Sequence, residues 1–422
     1  MIGPQQTFDA IVIGGGPAGS SASAVLADKG RRVLMLERRR FPRYRIGESL
    51  LPYCYFPLER IGMIEKLKQS RFVKKHSVQF ASIDGHVSQP FYFSQHFPHD
   101  AAQTWQVVRS QFDQMLLDNA RDKGVIVWEE TAAKQLVMKD DAVVGVEVEG
   151  PQAVASIVNA PITLDCSGRD GFAIARNQWR LPDPGLQKIA LWTYFTGAVR
   201  DPGLDEGATT VAYLPEKGWI WYIPLPDDFV SIGITAERDY LYRQGKDIEV
   251  IFQREIQTNA WIQQHLAPAK RAGQIRVTGD YSYRSRYCAA DGLVLAGDAF
   301  AFLDPVFSSG VFLALQSGVM AGDAIDAALC DGDVSAARFA DYGVKLCAGI
   351  EAMRKLVYAF YDQAFNFGEL LKKNPELRGD LTDCLIGNIF KDFEPLFAAI
   401  GQFAKVPHSL PYGRPLSTEH HA

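Results

Sequence analysis

The sequence has few cysteines and none of them in pairs. Cys54, Cys166, Cys288, Cys330, Cys347 and Cys384 are far apart, with no C-x-x-C and no histidine cluster beside them. That excludes a disulfide framework and a zinc site of the usual spacing, so no metal is expected. Charge of one sign is also missing: 44 Lys and Arg against 49 Asp and Glu give a formal net charge of −5 over 422 residues. Binding to nucleic acid needs a basic face that displaces counterions from phosphates, so that partner class is excluded. Residues 10–27 and 305–322 carry no charge and approach the length of a membrane span, but glycine, proline and serine interrupt both. They are expected to be buried strand–turn–helix units, with no membrane partner. The first apolar strand begins within ten residues of Met1, where a secretory leader would need a charged and then an apolar region, so the chain is expected to be cytoplasmic. Internal repeats and low-complexity segments are absent too. What remains, 47% hydrophobic and 22% charged, is the composition of a globular enzyme of two or three structural units.

The chemistry begins at a β-branched run, FDAIVI at residues 8–13. It ends in Gly14-Gly15-Gly16-Pro17-Ala18-Gly19, passes into the helix-like SSASAVLADKG and returns as RRVLMLE at 31–37. The order is strand, G-x-G-x-x-G, helix, strand, acid, with Glu37 18 residues beyond Gly19. That order predicts a dinucleotide site. Gly14 permits the tight turn, Gly16 lets backbone approach a pyrophosphate, and Gly19 allows close packing of the helix. Pro17 and Ala18 open that helix, whose free N–H groups face the phosphates. Glu37 is placed to bind ribose hydroxyls. No second such motif occurs, so a separate nicotinamide site is not expected. Downstream, 292–325 reads as a buried strand, Gly297-Asp298-Ala299, a loop and a long apolar helix. Residues 76–105 and about 185–275 alternate as antiparallel sheet does, and from about Ser335 the pattern is helical.

Gly14 to Gly19 with Glu37, then Asp165-Cys166-Ser167-Gly168-Arg169, then Gly297-Asp298, in this order and at these separations, resemble the FAD-binding module of the para-hydroxybenzoate-hydroxylase-like flavoproteins. The resemblance implies an α/β fold: a Rossmann-like, GR2-type FAD module with an inserted antiparallel substrate sheet and a C-terminal helical region. The module would be assembled from 1–75, 106–180 and 276–330, the substrate sheet from 76–105 and 181–275, and the helical pocket region from 331–422. Asp298 would bind ribitol or pyrophosphate, and Arg109 would open a helix beside the flavin. Within that superfamily, Gly47-Glu48-Ser49, Phe72-Val73-Lys74-Lys75 and Trp219-Ile220-Trp221-Tyr222-Ile223-Pro224 are similar to the flavin-dependent halogenases. The last is a complete W-x-W-x-I-P. The family then implies Lys75 as the catalytic lysine, Trp219 and Trp221 as walls of the passage to it, and Arg45, Glu48 and Ser49 in the flavin strap. Ser309 and Gly310 would hold halide, with Gly310 and Val311 also beside FAD. On the residues alone, Trp219, Trp221 and Ile223 are an apolar strand face, Lys74 and Lys75 a solvated pair, and the serine before the apolar helix an ordinary N-cap.

The sequence departs from the tryptophan halogenases at Phe307, where they carry a glutamate just before the Ser/Thr-Gly pair. With the DYSYRSRYC segment at 280–288 and a compact C-terminal region, this is similar to halogenases of phenols and pyrroles, several of which act on substrates tethered to a carrier protein in natural-product and antibiotic biosynthesis. The resemblance implies FAD, supplied as FADH2 by a separate flavin reductase, with dioxygen and chloride or bromide. Lys75 would receive hypohalous acid as a chloramine-forming nucleophile, or polarise it as a hydrogen-bonding acid. Phe307, Tyr358, Phe360, Tyr361, Phe365 and Phe367 would stack on the aromatic substrate or form plain core. Arg38 to Arg40, Arg43, Arg45, Lys66, Lys68, Arg71 and Lys74 would meet an acidic carrier protein or form a solvated face. Self-association is compatible with the sequence. The same FAD module also serves aromatic monooxygenases, reductases of prenyl-type double bonds and non-catalytic flavin-binding partners.

Overall fold

The computed structural model describes residues 7–279 and 282–416. Asp280 and Tyr281 of the DYSYRSRYC segment lie outside the described residues. The first uncharged run forms the strand Ala10–Ile13, every residue buried, and the nucleotide helix Pro17–Asp28. The chain returns through Val33–Leu36, parallel to Ala10–Ile13, whose other edge carries Ile162–Asp165. The complete order is Ala289–Ala290, Leu293–Leu295, Ile162–Asp165, Ala10–Ile13, Val33–Leu36, Ile126–Trp128. Only the edge pair Ala289–Ala290 with Leu293–Leu295 is antiparallel. Strands covered on both faces read as continuous apolar runs, which is how these appear in the sequence.

The second uncharged run gives the core helix Ser309–Asp331, which packs along the nucleotide helix. By length and composition it could cross a membrane, but 67% of its apolar window is buried inside the protein. Its hydrophobicity serves the core.

The inserted sheet runs Lys270–Arg271, Lys188–Thr196, Phe229–Glu237, Trp219–Pro224, Thr209–Tyr213, Ser77–Ala81, Phe91–Tyr92, with Arg276–Gly279 also on Lys188–Thr196. It departs from the antiparallel expectation at one pair: Thr209–Tyr213 runs parallel to Ser77–Ala81. These strands come from distant segments, so no hairpin dictates their direction. A second difference is that part of 185–275 is helical, as Arg238–Tyr242, Ile248–Ile256 and Ala260–Leu266. Asp247 and Asn259 cap the last two by accepting backbone N–H bonds.

Together, sheet and helices bury the tryptophan strand Trp219–Pro224 on both faces. Trp219, Trp221 and Ile223 enter the large core, while Ile220 and Tyr222 enter a second core with Phe252, Trp261 and Ile262. The antiparallel sheet Ala132–Lys139, Ala142–Glu149, Ala155–Asn159 has no counterpart in the sequence reading. Beyond Ser335 the chain is helical as expected, led by Ala340–Tyr361. Buried ion pairs fasten that helix: Arg354 to Asp183 at 2.5 Å, and Arg284 to Glu351 at 2.7 Å.

Candidate active site

At the nucleotide end, Gly14 has φ 106°, and a Cβ there would lie 2.4 Å from the Cys166 carbonyl oxygen; at Gly19 it would lie 1.9 Å from that of Gly14. Gly16 is open, the nearest atom to its virtual Cβ being Arg43 Nη2 at 3.4 Å. The helix starting there has no side-chain cap, so its first free N–H groups are available to an anion. Buried Glu37 accepts the Gly15 N–H at 3.0 Å on one oxygen and the Arg39 N–H at 2.9 Å on the other. Each oxygen keeps a lone pair for a ribose hydroxyl.

Arg43, read from sequence as part of a carrier-facing patch, is instead buried and bonded to Asp113 at 2.9 Å. Its Nε has no hydrogen-bond partner among the described residues, with Glu37 Oε2 3.8 Å away. Half-buried Arg45 has its pKa lowered, by burial first and then by the charges of Arg43 and Arg39. A bare turn, an orphaned buried guanidinium N–H and a crowded set of cations fit a pyrophosphate. Most of the other residues of that basic patch are satisfied locally: Arg38 with Asp170, Lys66 with Asp122, Lys68 with Glu65, Arg71 with Asp227.

The strap crosses next. Gly47 has φ 108°, and a Cβ would lie 2.9 Å from Arg109 Nη1 and 3.6 Å from Val311 Cγ2. Arg109 donates to the Ile46 carbonyl at 2.6 Å and clamps Asp113 at 2.9 and 3.1 Å. Glu48 accepts the Tyr194 O–H at 2.8 Å, and burial raises its pKa. Desolvation pushes Asp298 up to about 6 against the pull of Arg169, Arg109 and Arg45. The structure therefore brings together Arg45, Gly47, Arg109, Asp298 and Val311. Ser308 occupies the N-cap of the core helix with φ 56°, and its side chain makes no cap bond. The ordinary serine-cap reading fails because a left-handed residue lacks the extended backbone of a capping serine. The first-turn N–H groups at Ser309 and Gly310 are left for a small anion. Ser309 is buried, and nothing approaches a Cβ at Gly310 closer than Phe302 Cε2 at 4.0 Å.

Lys75 ends the strand Val73–Lys75, which pairs with Thr104–Gln106 and places it opposite Thr104. It is 3% exposed, which overturns the solvated-pair reading; Lys74 is exposed. Its Nζ donates to Ser49 Oγ at 2.9 Å and to the Leu50 carbonyl at 3.2 Å, and lies 5.5 Å from the Phe93 ring centroid. Ser49 in turn bonds Thr209 Oγ1 at 2.8 Å. Burial lowers the Lys75 pKa to about 7. The indoles of Trp219 and Trp221 lie 5.7 Å apart and donate to Tyr361 Oη at 2.8 Å and Ser231 Oγ at 3.1 Å. Gly233, opposite Trp221, is required there, since a Cβ would fall 1.9 Å from the indole.

A cavity of about 520 Å³ opens between the inserted sheet and the C-terminal helices, walled by Phe80, Phe91, Tyr213, Phe360, Phe365 and Phe367. Phe91 and Val78 of its wall also pack in the cluster holding Phe93, whose ring centroid lies 5.5 Å from Lys75 Nζ. Phe307 stands behind it, 5.7 Å from Phe360 and 6.4 Å from Phe367. Tyr358 and Tyr361 are not in its wall. The sequence leaves them as stacking surface or plain core, and their hydroxyls bond Asp183 and Asp304. Sequence reading missed Tyr213, Phe80 and Phe91, which carry no motif, and Asp113, which the i, i+4 spacing from Arg109 would have flagged.

A family model described as tryptophan halogenase matches residues 9–106 and 94–367. A flavin-dependent halogenase of Armillaria mellea is 35% identical over 347 residues, covering 76% of this chain and 68% of that one. A brominase of pyrrole-2-carbonyl groups on a peptidyl-carrier protein, from Pseudoalteromonas luteoviolacea, is 30% identical over 388 residues, covering 91% and 93%. Among solved structures, a flavin-dependent brominase superposes with a TM-score of 0.86 at 28% identity over 94% of this chain and 99% of that one. The myxobacterial chondrochloren halogenase gives 0.79 at 30% identity over 95% and 96%. Matches of this extent take in the turn, the lysine strand, the tryptophan strand and the core helix together, and the chain belongs to the flavin-dependent halogenases, FAD-dependent oxidoreductases that use halide to halogenate aromatic substrates.

Proposed function

We propose that this enzyme halogenates an electron-rich aromatic, a phenol or pyrrole tethered to a carrier protein, with Lys75 passing the halogen to a ring held in the aromatic cavity. The observation that carries the reading is the state of Lys75. A neutral amine has two N–H donors, and Ser49 and the Leu50 carbonyl take both. Its lone pair is then free, and burial brings the neutral form into reach near pH 7. This supports the nucleophile, while the ammonium form would carry a third N–H for a hydrogen-bonding acid. FAD, when bound, supplies the reaction of dioxygen that oxidises the halide. The protein does the rest. Gly14, Gly16, Gly19, Arg43 and Arg45 bind the pyrophosphate, Glu37 the ribose, and Arg109 with Gly47 fixes the strap. Ser309 and Gly310 hold chloride or bromide through backbone N–H groups. Trp219 and Trp221 exclude water from the passage.

In this reading 1–75, 106–180 and 276–330 form the FAD module, 76–105 and 181–275 the substrate sheet and 331–422 the pocket cover. The pair Val73–Lys75 with Thr104–Gln106 lies on that border. The tether is supported by the pyrrole-carrier relative and by a cavity larger than one small ring needs. A separate flavin reductase supplies FADH2, and unpaired cysteines suit the cytoplasm.

The test is incubation with FAD, a flavin reductase, NADH, air and bromide against free and carrier-tethered phenols and pyrroles, read by the halogen isotope pattern in mass spectrometry. Bromination of a tethered ring is expected. Hydroxylation without bromine, or reaction of free rings alone, overturns the reading.

A further inference from the structure

Tyr361 ends the helix Ala340–Tyr361, yet its hydroxyl serves two other parts of the fold. It accepts the Trp219 indole N–H at 2.8 Å and donates to Asp304 Oδ2 at 3.0 Å. An indole can only donate and a carboxylate only accept, so the chain of bonds has one direction, from indole through phenol to carboxylate. Asp304 has no exposed surface. Its other oxygen accepts the Val306 N–H at 3.1 Å, and its own N–H donates to Ser282 Oγ at 3.1 Å. The carboxylate is thus the anchor of loop 304–308, which delivers left-handed Ser308 and, immediately after it, Ser309. The Tyr361 ring is itself held from one face: Lys188 Nζ lies 4.1 Å from its centroid, with Glu237 paired to that lysine.

We propose that Tyr361 is a positioning residue for halide: its hydroxyl, oriented by Trp219, fixes Asp304 and so holds loop 304–308 where the N–H groups of Ser309 and Gly310 converge on the ion. The proposal rests on the halide site being at Ser309 and Gly310. It reassigns Tyr361 from the substrate to the halide. It also joins the W-x-W-x-I-P strand to the anion loop through a residue in neither motif.

The groups that face Asp304 also set a pH signature. Burial pushes its carboxyl up to about 6, while the Val306 N–H, the Tyr361 O–H and the Lys188 charge pull it down and Glu237 pushes it up. Removing the Tyr361 O–H takes a donor from the charged form, so the carboxyl gains its proton at higher pH.

The experiment compares wild type with Tyr361→Phe and Asp304→Asn as FAD-loaded enzymes. In Tyr361→Phe the bromide KM is expected to rise about tenfold, the loss of one hydrogen bond to a buried charge, with kcat at saturating bromide and the aromatic KM within about twofold. The acid-side rise in bromide KM should also move to higher pH. Asp304→Asn, which keeps an acceptor but no charge, should raise the bromide KM without that pH dependence. An unchanged bromide KM in Tyr361→Phe, or a raised aromatic KM instead, overturns the proposal. Wild-type crystals soaked in bromide separate the two readings. With an anomalous peak at Ser309 and Gly310, a negative result rejects only the role of Tyr361; a peak elsewhere rejects the halide site itself.

Discussion

Two buried cations that bond the strap 46–50 behave in opposite ways. Burial opposes the charge of Arg109, but the Asp113 carboxylate outweighs it and the pKa is raised. Lys75 is as deeply buried, with hydroxyl and carbonyl acceptors and no carboxylate, and its pKa falls to about 7. Depth is the same; the counter-charge decides. Arg109 therefore keeps a permanent charge, while Lys75 has its neutral form within reach near pH 7.

The comparison can be broken from either end. The largest effect is expected from Lys75→Ala, which should lower halogenation by about a thousandfold or more while flavin fluorescence shows FAD still bound. Retained halogenation would assign the transfer to another residue. Next comes Asp113→Asn, which strips the carboxylate from Arg43 and Arg109 at once. It should cost about 3–5 kcal/mol in urea unfolding, and a loss below about 1 kcal/mol would show that the clamp does not govern that end. Ser49→Asp gives Lys75 the partner it lacks. In the proposed mechanism the neutral amine reacts, so wild-type activity is expected to rise with pH through about 7, and the variant should shift that limb upward by about one to two pH units. An unmoved limb would detach the pH dependence from Lys75. A further effect is thermodynamic. The folded chain releases the Lys75 proton above about 7, whereas the unfolded chain holds it to about 10.4, so wild-type stability gains a contribution as pH rises through that window. Lys75→Met should lack it, as melting temperatures across the window would show.

The nucleotide end was legible because its geometry is local. Gly14, Gly16, Gly19 and Glu37 act within one strand–helix–strand unit, and the structure places them as their spacing implied. The burial of Lys75 was not legible from the residues, since it comes from the pairing of Val73–Lys75 with the distant Thr104–Gln106. Only the resemblance marked it. Tyr361 shows a related limit: its place in a helical stripe leaves stacking surface and plain core both open, while its hydroxyl is used by partners 142 and 57 residues away. The parallel pairing of Thr209–Tyr213 with Ser77–Ala81 escaped for the same reason, as alternation fixes which face a side chain takes but not the direction of a neighbour brought from far along the chain.

The tryptophan strand has a consequence for tolerance to change. Its odd positions, Trp219, Trp221 and Ile223, and its even ones, Ile220 and Tyr222, fill two different cores. Deleting one residue before it would exchange the two sets, pressing indoles into the space of isoleucine and tyrosine and emptying the space they left. Neither core can slip alone, so the segment acts as a common rivet. Length variation among relatives should stop short of it, and its amide hydrogens should exchange only when the whole molecule opens.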